Sequence, residues 1–267
     1  MSEENKIAVW ERPKYEGTDI VPTAETVTAL ANPQHLVGRE NIEVEDLIVP
    51  TIALLQGQSD AVTSGVPGAE PGKFQQSNSG EIYEPPLKVL VVHHHKSNAF
   101  FPQDQHDAIY PEYKGKESCL SRDGKVGTKH GLCEECRICL DFMDDDRKPP
   151  GSHSQVLTVL IPDGPAVIRF GRTSAKPARK FVSNWNFSSK NLWSHPVHIV
   201  VHAETKELPG GKKSTYFWMA PKWVKEEETP QVWQDACLEM YNRIKGAHEE
   251  GKFSDELEGT SEVGEFD

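Results

Sequence analysis

Four of the five cysteines in this 267-residue chain fall within 21 residues, in C-L-S-R-D-G-K-V-G-T-K-H-G-L-C-E-E-C-R-I-C from Cys119 to Cys139. Thiols this close together must pair, bind a metal ion or be buried one by one, and each outcome fixes the loop that carries them. The chain starts M-S-E-E-N-K, without the basic and apolar regions of a signal peptide, and holds no run of 18 apolar residues. The expectation is a soluble, cytoplasmic protein whose thiols stay reduced. Glu134, Glu135 and Arg137 flank the cysteines and argue against apolar burial, which favours metal ligation over free or reactive cysteines in a loop.

Cys133 and Cys136 form a C-x2-C pair, the spacing at which two thiolates reach one tetrahedral zinc ion. Cys119 lies 14 residues upstream across an S-R-D-G turn and is the third expected ligand. The fourth is open among Cys139, His153 and His130; Cys139, which makes a four-thiolate site, is the one adopted. Four protein ligands leave no open position, so the expected metal is a structural zinc.

The segments around the loop indicate the fold. Residues 1–45 lack sustained periodicity and read as an N-terminal arm. L-I-V-P-T-I-A-L-L-Q after Asp46 is a first strand candidate, bent or edged at Pro50. Residues 57–86 are dense in turn residues, a long connection with room for a short hairpin. Leu87–His95 is a second strand, followed by Phe100, Phe101, Tyr110 and Tyr113 in what reads as irregular chain. Beyond the insertion, at about 115–153, Ser154–Pro162 and A-V-I-R-F-G make a third strand or a hairpin.

Next, Ala178, Phe181, Val182 and Trp185 form one apolar stripe of a helix with Pro177 in its first turn and hydroxyl caps before it. His195–Glu207 and Ser214–Ala220 then read as a hairpin across L-P-G-G-K-K. A last helix over about 230–248 begins at Thr229-Pro230 and buries Val232, Trp233, Ala236, Cys237, Met240, Tyr241 and Ile244. The predicted fold is mainly β with α: an OB-fold-like five-stranded barrel over 46–248, its helix between strands three and four, with a zinc-binding insertion and a C-terminal helix.

A net charge of −12 argues against a polyanionic partner only if charge is spread evenly. It is not: residues 249–267 hold eight acids and one lysine, an acidic tail expected to stay disordered, whereas six basic residues and no acid lie between Asp163 and Glu204. In and beside that basic segment, Arg169, Arg172, Lys176, Arg179 and Lys180 accompany aromatics, among them Tyr216 and Trp218. Cations for phosphates and rings for bases are how single strands are held without sequence reading. No phosphate-binding glycine loop or positioned acid–base pair occurs, and His93-His94-His95, His195, His198 and His202 lack carboxylate partners at motif spacing, so catalysis is not expected.

P-T-I-A-L-L-Q, P-G-K-F…N-S-G-E, the cysteine insertion, T-S-A-K-P-A-R-K and the acidic ending E-V-G-E-F-D resemble the single-stranded DNA-binding proteins of tailed bacteriophages. The resemblance covers about residues 46–225 plus the tail. It implies an OB-fold that coats single-stranded DNA during phage replication or recombination, a zinc loop, and a tail whose terminal aromatic, here Phe266 with Asp267, recruits partner proteins. Similar insertions tend to have proline after C-x2-C and a later cysteine; here Arg137 and His153 stand there. The rival expectation is a zinc-stabilised protein-interaction or transcription-accessory factor that does not touch DNA.

Overall fold

The computed structural model describes residues 49–101, 114, 116–136, 138–139, 150–161, 163–207, 211 and 213–249. The N-terminal arm, Tyr110, Tyr113, Arg137 and the acidic tail with Phe266 and Asp267 lie outside the described residues. In chain order the elements are β1 (Thr51–Leu54), α1 (Asp60–Thr63), β2 (Phe74–Gln76), β3 (Ile82–Tyr83) and β4 (Leu87–Phe100). The insertion carries β5 (Cys119–Ser121), β6 (Val126–Gly127), β7 (Gly131–Leu132) and α2 (Cys133–Cys136). Then follow β8 (Ser152–Ile161), β9 (Gly164–Phe170), a 3-10 turn (Arg172–Ser174), α3 (Ala175–Asn186), β10 (Val197–Glu207), β11 (Lys213–Trp223) and α4 (Gln231–Glu249).

Nine strands form one sheet, curled into a half-barrel, in the order β11-β10-β4-β8-β9-β1-β2-β3, with β5 added on β4; β6 and β7 make a separate ribbon. The expected five-strand count is therefore too low, for local reasons. The turn-rich connection holds the β2–β3 hairpin. Of the two expectations for the segment after the insertion, a strand or a hairpin, the hairpin forms: it turns at Asp163-Gly164, where Gly164 takes φ 125, a conformation that a side chain would strain, and gives β8 and β9. Strand β1 pairs in parallel with β9, and Pro50 continues that approach by accepting from Val167 N–H at 2.8 Å.

β4 also runs five residues past its expected end, so Phe100 is a buried strand residue rather than loop. A bulge between Val91 and His93 interrupts its pairing with β8. The bulge lets consecutive Val91 and Val92 both be buried and re-aims the second half of the strand.

The core lies inside the curl, where Phe74, Val89, Leu157, Ile168, Phe170, Val197 and Ile199 are buried together. α3 closes it with the stripe read from its sequence: Ala178 and Phe181 are buried, Val182 and Trp185 pack beside them, and Phe181 meets Trp223 edge to face at 5.2 Å. α4 packs against β4 through Trp233, Ala236, Cys237 and Ile244. Val232, expected on that face, is exposed. Cys237 is buried as expected, and burial pushes its thiol pKa up to about 12. Among the described residues no helix is long and apolar enough to cross a membrane.

The outer edge of β11 is protected by side chains. Phe217 N–H donates to Gln56 Oε1 at 3.0 Å and Gln56 Nε2 donates to Phe217 C=O at 2.9 Å, so one amide mimics a ladder pair. Two residues on, Met219 N–H donates to Ser174 Oγ at 3.0 Å, and two further on stands Pro221, which has no N–H. A proline there is what an edge tolerates. Gln56 thus joins the chain just past β1 to the last strand and holds the curl. Gln56→Ala removes both bonds and is expected to destabilise the protein by about 1–2 kcal/mol, measured by urea unfolding, with the Phe217 amide exchanging faster.

Candidate functional site

Two groups of side chains carry the expected chemistry. The first is the cysteine insertion, which hangs from the end of β4. β5 pairs with that end in the register Phe100↔Cys119, which places the first cysteine. Cys133 N–H donates to Lys125 C=O at 2.7 Å, and α2 then presents Cys133 and Cys136 one turn apart. Cys139 donates its thiol to Ala99 C=O at 3.5 Å, and Gly151 N–H to Ile138 C=O at 3.0 Å, which ties the far end back to β4.

Cys119, Cys133, Cys136 and Cys139 thereby line one cavity of about 10 Å³, with His130, Phe100 and Ile138. Burial first, then the neighbouring Cys136, Cys133 and Cys119, push the Cys139 pKa up to about 12. Glycine is required at two places beside the cavity: a Cβ on Gly127 would stand 2.6 Å from Cys119 Sγ, and one on Gly151 would collide with Cys139 Sγ. As the side chains stand, no group of three or more His, Cys, Asp or Glu among the described residues is close enough to hold a metal ion. Still, four thiols around an atom-sized space are a donor set suited to a borderline-soft cation.

Neither histidine alternative is placed as well. His153 is outside the cavity lining: its Nδ1–H donates to Asn98 Oδ1 at 2.7 Å and its Nε2 accepts from Gln155 Nε2 at 2.9 Å. Gln155 Oε1 in turn accepts from His94 Nε2–H at 2.9 Å, while Asn98 Nδ2 donates to Gly124 C=O at 3.2 Å. This polar chain runs from mid-β4 into the insertion, and burial holds His94 below the usual imidazole value. His130 does line the cavity, but its Nε2–H donates to Glu117 C=O at 2.9 Å.

The second group is the basic and aromatic set, which the fold divides. Arg169 is half-buried on β9 and donates to Ser97 Oγ at 3.4 Å, a packing role. Arg172, Lys176, Arg179 and Lys180 are all exposed around the start of α3. That start breaks two local preferences. Arg172 has φ 50, the left-handed region, in which a residue with a side chain costs roughly 1–3 kcal/mol. The first turn of α3 has no acid and carries Lys176 at the positive end of the helix dipole, with Arg179 and Lys180 next. Ser174, one of the hydroxyl residues expected to cap the helix, makes no cap; its Oγ accepts from Met219 N–H instead.

The same hydrogen bond puts this helix start beside β11. There Tyr216 and Trp218 share a face with their cross-strand partners Glu204 and His202. Trp218 stacks on His202 at 4.2 Å with the rings 21° apart, and Lys206 Nζ stands 5.0 Å from the centre of the Tyr216 ring. A hydrogen bond to Glu204 raises the Tyr216 pKa. His202 and Lys206 therefore belong to this surface. Partial period-two alternation along β10 was their only signal in the sequence, since cross-strand register is invisible there.

The insertion's tip turns on Asp123, whose Oδ1 accepts from Lys125 N–H at 2.7 Å, Val126 N–H at 3.0 Å and Ser121 Oγ at 3.0 Å. Partial burial opposes the carboxylate, but these donors outweigh it and hold the Asp123 pKa below its usual value. A carboxylate depressed by folding contributes stability that is whole above its unfolded value of ~3.9 and is lost as pH falls through the lower folded value. The Lys125 and Val126 amides should lose exchange protection in that acid window. In Asp123→Ala protection should be low already at neutral pH and the acid step should vanish.

Comparison with curated proteins and with solved structures gives no match. The model of one family, the Pam3 phage gp34-like proteins, matches residues 18–249. That span starts ahead of β1 and ends with α4, so it takes in the half-barrel, the cysteine insertion and both long helices. The chain belongs to the Pam3 phage gp34-like protein family.

Proposed function

We propose that the protein binds single-stranded DNA without reading its sequence, during phage DNA replication or recombination, and that it is not an enzyme. The observation that carries this reading is the start of α3. Exposed Arg172 stands in a disfavoured backbone conformation and exposed Lys176 at the positive end of the helix dipole, with exposed Arg179 and Lys180 following one turn on. Local conflicts of this kind gather at functional sites, and this one is relieved by an anion. The neighbouring aromatics of β11 select the kind of anion, since rings that stack favour nucleobases over isolated phosphates. The five longest strands, β4, β8, β9, β10 and β11, support the reading: counted in that order, they place α3 between the third and fourth, as in an OB-fold. β1 would then be an addition at the seam.

On this reading the cysteine cavity holds one structural zinc ion through Cys119, Cys133, Cys136 and Cys139, and the acidic tail ending in Phe266-Asp267 recruits partner proteins. One observation favours a second reading, a protein-interaction factor. Val126 and Leu132 face each other across the β6–β7 ribbon and are both exposed, an apolar pair of the kind that meets protein.

Quenching of tryptophan fluorescence by poly(dT), weakening steeply with salt, is expected for DNA binding; its absence would favour the second reading. In Lys176→Ala/Arg179→Ala/Lys180→Ala, loss of three phosphate contacts should lower the slope of log affinity against log salt by about 2. The same variant should melt at a slightly higher temperature, since cations leave the positive end of a helix. A drop in stability together with binding would instead make these residues structural. Separately, the purified protein should carry one zinc per chain, and Cys133→Ser should lose the metal and expose the insertion to protease. Retention of both would refute the zinc assignment.

A further inference from the structure

α3 presents a second stripe, opposite the one it buries. Lys176, Lys180, Asn184 and Phe187 follow one another at steps of four, four and three, the spacing of one helix face, and all four are exposed. The last is unusual even among exposed residues. Phe187 is 86% exposed, whereas the other exposed large hydrophobics among the described residues lie between 37% and 54%. A single exposed apolar side chain needs no explanation. A nearly bare aromatic ring at the end of a cationic stripe, in a segment without acids, is a different case.

The ring also sits on a rigid support. Phe187 N–H donates to Ser183 C=O at 3.2 Å, and Ser188 N–H and Oγ both donate to Trp185 C=O, at 2.8 and 2.7 Å. Trp185 Nε1 donates to Lys190 C=O at 2.9 Å, and Lys190 Nζ donates to His195 Nε2 at 2.6 Å. The turn after α3 is thus tied to buried His195, and a residue whose backbone is held this firmly gives up only side-chain freedom when its ring is covered.

We propose that Phe187 is a base-stacking residue, and that the strand runs along the outer face of α3, its phosphates on Lys176 and Lys180 and a base on the Phe187 ring. This rests on the reading of the protein as a single-strand binder and extends it to a face that the β11 aromatics do not share. The stripe is about 16 Å long at 1.5 Å per residue, room for several nucleotides. The ligand class follows from the chemistry: charge complementarity demands an anion, and a bare ring at the end of the cation row demands a flat π-face within it.

The test measures poly(dT) affinity over a range of salt for the full chain and for Phe187→Ala, Phe187→Leu and Phe187→Trp, with Leu238→Ala as a control for loss of an exposed apolar group elsewhere. Expected are a roughly 5- to 100-fold weaker affinity for Phe187→Ala and Phe187→Leu, an unchanged salt slope and melting temperature, wild-type affinity in Leu238→Ala, and recovery in Phe187→Trp. If the wild-type chain binds and Phe187→Ala binds equally well, the stacking role is overturned while the single-strand reading stands. If the wild-type chain does not bind, both fall. If the Phe187 variants instead abolish self-association in sedimentation, with binding per protomer unchanged, the ring faces a second copy of the chain and the proposal is wrong.

Discussion

Strand β4 is the constraint on which the other elements depend. Its first residues pair with β10, Leu90 to Ala99 with β8, and its last three with β5, so one 14-residue strand joins the β10–β11 hairpin, the body of the sheet and the cysteine insertion. A continuous flat strand of that length, about 45 Å, could not serve all three, because the sheet must coil to enclose a core. The bulge at Val91/His93 resolves this by bending β4 where its neighbours change. The curl then brings β11, one end of the sheet, near the chain just past β1, where the side-chain amide of Gln56 links them. Two ladder-like hydrogen bonds there stand in for a strand pairing that the sequence does not supply.

The parts legible in the sequence were those with strong local periodicity. Ala178, Phe181, Val182 and Trp185 identified the buried face of α3, and Trp233, Ala236, Cys237 and Ile244 that of α4. The end of β4 was misread because Lys96, Ser97 and Asn98 look like a turn. Inside the fold, Asn98 is satisfied by His153 and Gly124, and His153 by Gln155, so buried polar residues replace the apolar alternation that marks a strand. Gln56 was illegible for another reason: it acts through a residue 161 positions away. The cysteine spacing identified a cluster, and the fold placed Cys139 on its cavity and His153 on the polar chain.

Net charge is a poor guide to the surface of this chain. At physiological salt the field of an exposed charge is screened over about 8 Å, so a strand on α3 would sense the local lysines and arginines far more than a distant acidic tail. What matters is that no acid lies between Asp163 and Glu204, the segment that carries the α3 cations. Had these residues served helix stability, the order of charges would be reversed, with acids in the first turn and cations in the last. α3 has no acid in its first turn and no cation in its last.

The residues of the basic segment differ in what holds them. Arg169 is half-buried, with one guanidinium nitrogen donating to Ser97 on strand β4 of the same sheet. Arg172 is exposed, and its backbone is held in a conformation that glycine would adopt at lower energy. A position where glycine would fit better, yet where a long cationic side chain stands three residues before a helix that lacks acids at its start, is not explained by folding. Phe187 at the other end of that helix is the mirror case, an apolar ring left 86% exposed. Strain at one end and solvent exposure at the other are both opposed by stability alone, and a single ligand that is anionic along its backbone and flat at its bases would relieve both.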